Sequence, residues 1–87
     1  MNKFIDPKLY GLPTSTKLIQ TGTDQFEIVI KRKSRIIMKD GEGILAKVNK
    51  IKDHVPNAKV NLKTSASVCS KTKAFLEAHG ISVSVYR

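Results

Sequence analysis

Four of the five residues from position 31 to 35 are basic, and they lie between two apolar runs in the stretch IVIKRKSRIIMK, residues 28–39. Clustered lysine and arginine side chains can contact the phosphates of nucleic acids. The same cluster also suits the tip of a β-hairpin, where charge discourages edge-to-edge pairing of strands. Both interpretations stay open from the sequence. The candidate contact residues in this cluster are Lys31, Arg32, Lys33 and Arg35.

The global charge favours the first interpretation. The 87 residues carry a formal net charge of +9, and the isoelectric point is about 10.0. The positive charge is distributed unevenly along the chain. Residues 25–39 hold five basic residues and one acidic residue, whereas residues 40–56 have equal numbers of basic and acidic residues. An isoelectric point above about 9 with clustered Lys and Arg is typical of nucleic-acid-binding domains. The alternative is a basic domain without that function.

A second candidate site is the segment TSASVCSKTK, residues 64–73, which is predicted to pass from the end of a strand into a helix. Free backbone N–H groups and the helix dipole favour anions at a helix N-terminus. Simple capping of the helix by Ser65 or Ser67 is the alternative. The candidate anion-binding residues are Thr64, Ser65, Ser67, Ser70 and Lys71.

Cys69 lies in this segment, and a cysteine at a helix N-terminus can act as a nucleophile when its pKa is lowered. The stretch from Thr64 to Val83 loosely resembles the active-site segment of thioredoxin-fold proteins such as glutaredoxins. In that family a strand leads into Cys-x-x-Cys, a lysine-rich helix and a Gly-Ile strand. Here Ala66 occupies the first cysteine position, so the dithiol is absent. We therefore predict that Cys69 is a buried helix residue, and a thiol-dependent or anion-binding enzyme using residues 64–70 is the least favoured function.

Other catalytic chemistry has little support in the sequence. His54 and His79 are far apart, and with a single cysteine they have no metal-ligand spacing. We expect no catalytic residues, no metal and no cofactor. Cys69 is the only cysteine, which favours a reducing compartment. No apolar run reaches the roughly 20 residues that cross a bilayer, and the N-terminus lacks a signal-like apolar stretch. We expect a cytoplasmic protein without a membrane partner.

Periodicity predicts the elements that position these residues. Residues 26–30 alternate as a half-buried strand, and residues 35–39 form a second β-rich run, so a hairpin with its turn at residues 32–34 is predicted. Residues 1–24 are rich in Pro, Gly and Thr, which predicts an irregular arm, with a short strand at residues 17–20, packed on a single domain of residues 25–87.

The rest of the chain alternates between helical and extended patterns. A helix is predicted to begin with Asp40 as its N-cap and to end before Pro56. The segment AKVNLKT, residues 58–64, is predicted as a strand, and a helix over residues 68–79 follows it. Gly80 is suited to the left-handed residue after that helix, and residues 81–86 form the last predicted strand.

The order β-β-α-β-α-β predicts an α+β two-layer sandwich, with two helices on one face of a four-stranded mixed sheet and the irregular arm before it. The clean alternation of the last two strands indicates that the other sheet face is partly open. Residues expected on that open face are Lys31, Asn61, Lys63, Ser82, Ser84 and Tyr86, with Glu27 near one end.

These features predict a small non-enzymatic binding module that contacts nucleic-acid phosphates, of DNA or RNA, through a cationic hairpin and the open sheet face. The predicted contact residues are Lys31, Arg32, Lys33, Arg35, Lys39, Lys59, Lys63 and Tyr86. The alternative is a protein-interaction or assembly subunit, including a homodimer, that uses the apolar N-terminal arm and an unpaired sheet edge.

Overall fold

The computed structural model describes residues 3–12 and 16–86. Within these residues the protein forms one mixed sheet and two α-helices, in the order β1-β2-β3-α1-β4-α2-β5. The strands are β1 Lys3–Ile5, β2 Lys17–Gly22, β3 Gln25–Ile30, β4 Lys59–Thr64 and β5 Ser82–Val85. The helices are α1 Met38–His54 and α2 Ser70–Ala78, and a short 3₁₀ helix spans Pro7–Tyr10.

The sheet has five strands, not the four expected. Strands β1, β2 and β3 are antiparallel neighbours, and β3, β4 and β5 are parallel neighbours joined through α1 and α2. The segment predicted as an irregular arm therefore supplies two strands. Two of its helix breakers lie in the connection between β1 and β2: Pro7 begins the 3₁₀ helix, and Gly11 ends it with φ of +72°. At that φ glycine is favoured, because it has no Cβ to clash with the backbone.

The predicted hairpin of residues 26–30 and 35–39 is wrong. β3 ends at Ile30, residues 31–35 form a loop, and Ile36 makes a single parallel bridge to Val68. α1 then begins at Met38, two residues before the predicted N-cap. Asp40 lies in the first turn and accepts a 3.0 Å hydrogen bond from the backbone N–H of Ile37, which stabilises the earlier start. The hairpin that does form joins β2 to β3.

The two-layer arrangement with both helices on one sheet face is confirmed. The helices contact one another, and both contribute to a core that includes alternate residues of β2, β3 and β4. Fully buried apolar members are Leu18, Phe26, Ile28, Ile36, Val48, Ile51, Val60, Leu62, Leu76 and Ile81. In the described parts of the chain, neither helix is long and apolar enough to cross a bilayer.

Candidate functional site

The loop of residues 31–35, called the basic loop below, leaves the carboxyl end of β3 and is organised by Arg32. The Arg32 Nε donates to the carbonyl of Ser34 at 3.2 Å, and Nη2 donates to the carbonyl of Arg35 at 3.0 Å. The backbone N–H of Arg32 donates to the Ser65 Oγ at 3.2 Å, and that hydroxyl lies 3.3 Å from the Arg32 carbonyl. The loop is therefore closed on itself and tied to the segment after β4.

Arg32 also pairs with Asp40 at the start of α1. Its Nη2 lies 2.6 Å from Oδ2 of Asp40, and its Nη1 lies 3.4 Å from Oδ1. The hydrogen bond from Arg32, followed by that from the Ile37 N–H, lowers the pKa of the Asp40 carboxyl. Within residues 3–12 and 16–86 this is the one salt bridge. Arg32 was predicted as a phosphate contact, but two of its four side-chain hydrogen bonds go to carbonyls of the loop and two go to Asp40.

The remaining cations of the basic loop face solvent. Lys31, Lys33 and Arg35 are exposed, and Lys39 is exposed in the first turn of α1. Three surface depressions meet at Arg32, and Asp40 is the one acidic residue among those lining them. One contains Lys31, Lys33 and Ser65, and another contains Lys39, Asp40 and Lys47.

The third depression, called the β2–β3–α1 cleft below, has a volume of about 230 Å³. Lys17 from β2 and Lys47 from α1 reach it together with Lys31, although neither Lys17 nor Lys47 was predicted as a site residue. No local sequence signal marks them, because their positions depend on which strand pairs with β3 and on how α1 packs. The cleft is lined by Thr16, Lys17, Ile28, Val29, Ile30, Lys31, Arg32 and Lys47.

The open sheet face brings Lys17 and Lys63 to the same end of the sheet as the basic loop. Lys17 pairs with Val29, and Val29 pairs with Lys63, so these two lysines lie two strand spacings apart, about 10 Å. The Lys63 Nζ lies 5.5 Å from the ring centre of Tyr86, within cation–π range. Farther along the face, Phe4 and Ile19 pair across β1 and β2, so this part of the surface is apolar.

Lys59 lies at the other end of the sheet. It pairs with Gln25, and its backbone N–H donates to the Asp24 carbonyl at 2.7 Å. Thr64, which pairs with Ile30 beside the basic loop, is five residues farther along β4, or about 17 Å. The structure therefore does not bring Lys59 together with the other predicted contact residues.

Two hydroxyl groups of the predicted anion site, residues 64–71, form hydrogen bonds with backbone groups. The Thr64 Oγ1 accepts from the N–H of Ala66 at 3.1 Å, and the Ser65 Oγ bridges to Arg32. Ser67, Ser70 and Lys71 are exposed. Thr64 and Ser65 thus stabilise the turn between β4 and α2, and they connect it to the basic loop.

Cys69 is not the buried helix residue that was predicted. It is the N-cap of α2 and is partly exposed. The backbone N–H groups of Lys71 and Thr72 lower the pKa of its thiol. In the part of the chain that the structure describes, no three His, Cys, Asp or Glu residues are grouped to hold a metal ion.

Relatives add no constraint on this site. Comparison with protein-family models, curated proteins and solved structures yields no match.

Proposed function

We propose that the protein is a small non-enzymatic module that binds nucleic acid through its phosphates, at the carboxyl end of β3. The observation that supports this most is the convergence of cations from separate elements around Arg32. The basic loop, β2 and α1 all contribute, while the one acidic residue lining the three depressions, Asp40, is paired with Arg32. The converging cations that form no salt bridge with another described residue are Lys17, Lys31, Lys33, Lys39 and Lys47, with Arg35 beside them.

The arrangement favours phosphate contacts over base recognition. Single-stranded nucleic acids are commonly held by a basic groove together with aromatic side chains on which bases stack. Among the described residues Tyr86 is the one aromatic ring with a cation over its face, and that cation is Lys63. Phosphate contacts position a nucleic acid but carry no sequence information directly. We therefore expect binding that depends strongly on salt and weakly on sequence.

A salt titration with single- and double-stranded DNA and RNA tests this function. Replacing Lys31, Lys33 and Arg35 together by Gln should weaken binding and reduce the slope of log K against log salt by about 2 to 3. The matched control replaces Lys52, Lys59 and Lys73 by Gln, which changes the net charge equally at three lysines that line none of the three depressions. Equal effects of the two triple variants, or unchanged binding by the first, would contradict the proposal.

A protein-interaction function is the second candidate, and the exposed apolar residues at the N-terminal edge support it. Phe4 is 76 % exposed on the open sheet face, and Leu9 is 65 % exposed. Within the described residues β1 pairs with β2 alone, so its other edge is available for another strand. A Phe4→Ser variant should then lower self-association measured by sedimentation. A monomeric native protein would exclude the homodimer form of this function.

We also propose a cellular compartment for the protein. Cys69 is the only cysteine of the 87 residues and is a free thiol, which supports a reducing environment. We place the protein in the cytoplasm, where nucleic acid is accessible to it. Fractionation of cells that express a tagged protein tests this placement.

A further inference from the structure

The open sheet face presents two rows of side chains that run across the strands. The first, called the lysine row below, lies nearer the basic loop and consists of Lys17, Val29, Lys63 and Ser84. The second, called the Phe4 row below, begins on β1 and consists of Phe4, Ile19, Glu27, Asn61 and Ser82. Because side chains on one face of a strand repeat every second residue, the two rows are about 7 Å apart.

Phe4 is the most exposed member of an apolar patch on this face. Its exposed fraction of 76 % is the largest among the large apolar residues that the structure describes. The next pair along β1 and β2, Ile5 with Leu18, faces the core, so the pair of Phe4 with Ile19 faces outward. Ile19 and Val29 are partly buried diagonal neighbours on adjacent strands. The ring therefore lies at the end of a continuous apolar strip.

Lysines border this strip on the side of the basic loop. Lys17 and Lys63 are exposed, and neither forms a salt bridge with another described residue. Glu27 is the one acidic residue of the two rows, so the face has an excess of positive charge. An apolar strip beside unpaired cations suits a ligand that joins flat apolar groups to a chain of negative charges.

Single-stranded nucleic acid has this combination of groups. Its bases can stack on aromatic side chains while its phosphates contact basic residues. In a duplex the bases are already stacked on one another, so their flat faces are not available to Phe4. A second copy of this chain fits less well, because each copy carries a net charge of +9 and the two faces would repel one another.

We propose that the open sheet face binds single-stranded nucleic acid, with a base stacked on Phe4 and phosphates contacted by Lys17 and Lys63. This inference rests on the proposed function and adds the class of nucleic acid to it. The strand crosses the face from β1 toward β4, and its phosphates are within reach of the basic loop at the same end of the sheet. Every base has a π-face, so stacking preserves the weak dependence on sequence.

The experiment compares two short single strands of equal length and charge, one with bases and one in which every base is replaced by an abasic site. Fluorescence anisotropy at a fixed salt concentration measures binding. The strand with bases should bind about tenfold more tightly, because only that strand can stack on the ring. It should also shift the NMR signals of the Phe4 ring protons, and the abasic strand should leave them in place.

Phe4→Leu removes the ring and keeps an apolar side chain at an exposed position. It should abolish most of the preference for the strand with bases, while the affinity for the abasic strand and for a duplex stays unchanged. The control is Leu9→Ala, because Leu9 is 65 % exposed in the 3₁₀ helix and not in the sheet, and this variant should keep the preference.

The lysine row is tested separately by salt dependence. Lys17→Gln and Lys63→Gln should each reduce the slope of log K against log salt for the single strand by about 0.7. Lys73→Gln, on α2, is the control for the change in net charge and should leave the slope unchanged. Slopes that fall equally in all three variants would contradict phosphate contacts on the open sheet face.

The two proposals fail in different ways. Equal binding of the strands with and without bases, together with weaker binding by the triple variant of the basic loop, overturns the stacking site and leaves the proposed function intact. Absence of binding to every nucleic acid overturns both. A native dimer that Phe4→Leu dissociates, with no preference between the two strands, also overturns the stacking site and assigns the face to a second copy.

Discussion

Asp40 holds the start of α1 and the basic loop with the same carboxylate. Its Oδ2 accepts from the Arg32 Nη2 at 2.6 Å and from the backbone N–H of Ile37 at 3.0 Å. The first contact orders the loop, and the second satisfies a free N–H group at the helix N-terminus. The conformation of the loop and the beginning of the helix are therefore coupled through this pair, and the exposed cations around it are presented from a fixed backbone.

The pair should show an energetic coupling in a double-mutant cycle. Arg32→Gln, Asp40→Asn and the double variant are compared by urea unfolding. We expect a coupling free energy of about 1 kcal/mol, because the contact has two donor–acceptor pairs but its side chains are 33 % and 31 % exposed to solvent. Lys33→Gln is the control, and its effect should stay within about 0.5 kcal/mol. Additive effects of the two substitutions would show that the contact contributes nothing.

The same pair predicts how stability depends on pH. The pKa of Asp40 is lowered in the folded protein, so its contribution is present above the ordinary carboxyl pKa of about 4 and is lost as pH falls toward the folded value. The difference in unfolding free energy between the native protein and Asp40→Asn should therefore be full at pH 6 and shrink below pH 4. A difference that is constant from pH 6 to pH 2.5 would contradict this assignment.

The two neighbouring isoleucines after the basic loop should respond very differently to truncation. Ile36 is fully buried, and its backbone bonds to Ser67 and Cys69, whereas Ile37 is 50 % exposed. Ile36→Ala should lower the unfolding free energy by about 2 to 5 kcal/mol, because it leaves a cavity in the core. Ile37→Ala should change it by less than about 1 kcal/mol. Similar losses in thermal or urea unfolding would contradict the observed packing.

Local patterns predicted those parts of the fold whose signals lie close together in sequence. Gly80 was predicted as the left-handed residue after α2, and it has φ of +77°. The N–H of Ile81 bonds to the Leu76 carbonyl at 2.9 Å, and the N–H of Gly80 bonds to the Glu77 carbonyl, as in a Schellman motif. The alternation in residues 58–64 likewise predicted β4, because a strand with one open face has a period of two.

By contrast, which residues come together in the site depends on contacts between segments that are far apart in the sequence. The run of residues 36–38 favours a strand, whereas Asp40 favours the start of a helix. These two local preferences conflict, and the sequence alone does not show which of them decides the structure. In the sequence Arg32 cannot be distinguished from its basic neighbours, because its ion pair with Asp40 is seen only in the folded structure. Lys17 joins the site only because β2 pairs with β3.

Two glycines of α1 provide a test of how closely the helices pack. A Cβ added at the buried Gly41 would lie 2.8 Å from the Thr72 Cγ2 of α2, whereas one added at Gly43 would have no neighbour within 4 Å among the described residues. Gly43→Ala should raise the unfolding free energy by about 0.5 to 1 kcal/mol, because alanine favours the helix more than glycine does. Gly41→Ala gains the same helix propensity, but overpacking against Thr72 costs about 1 to 3 kcal/mol. We therefore expect a net decrease in the unfolding free energy.

A compensating substitution separates this clash from other effects at the helix start. Thr72→Ser removes the Cγ2 that the new methyl group would meet, so it should restore part of the stability of Gly41→Ala. In the native background the same Thr72→Ser change should instead be destabilising, since it empties space in a fully buried position. Urea unfolding of the four proteins measures the difference. If Thr72→Ser destabilises both backgrounds equally, the distance between the helices is larger than the structure shows, because the added methyl group would then have no contact to lose.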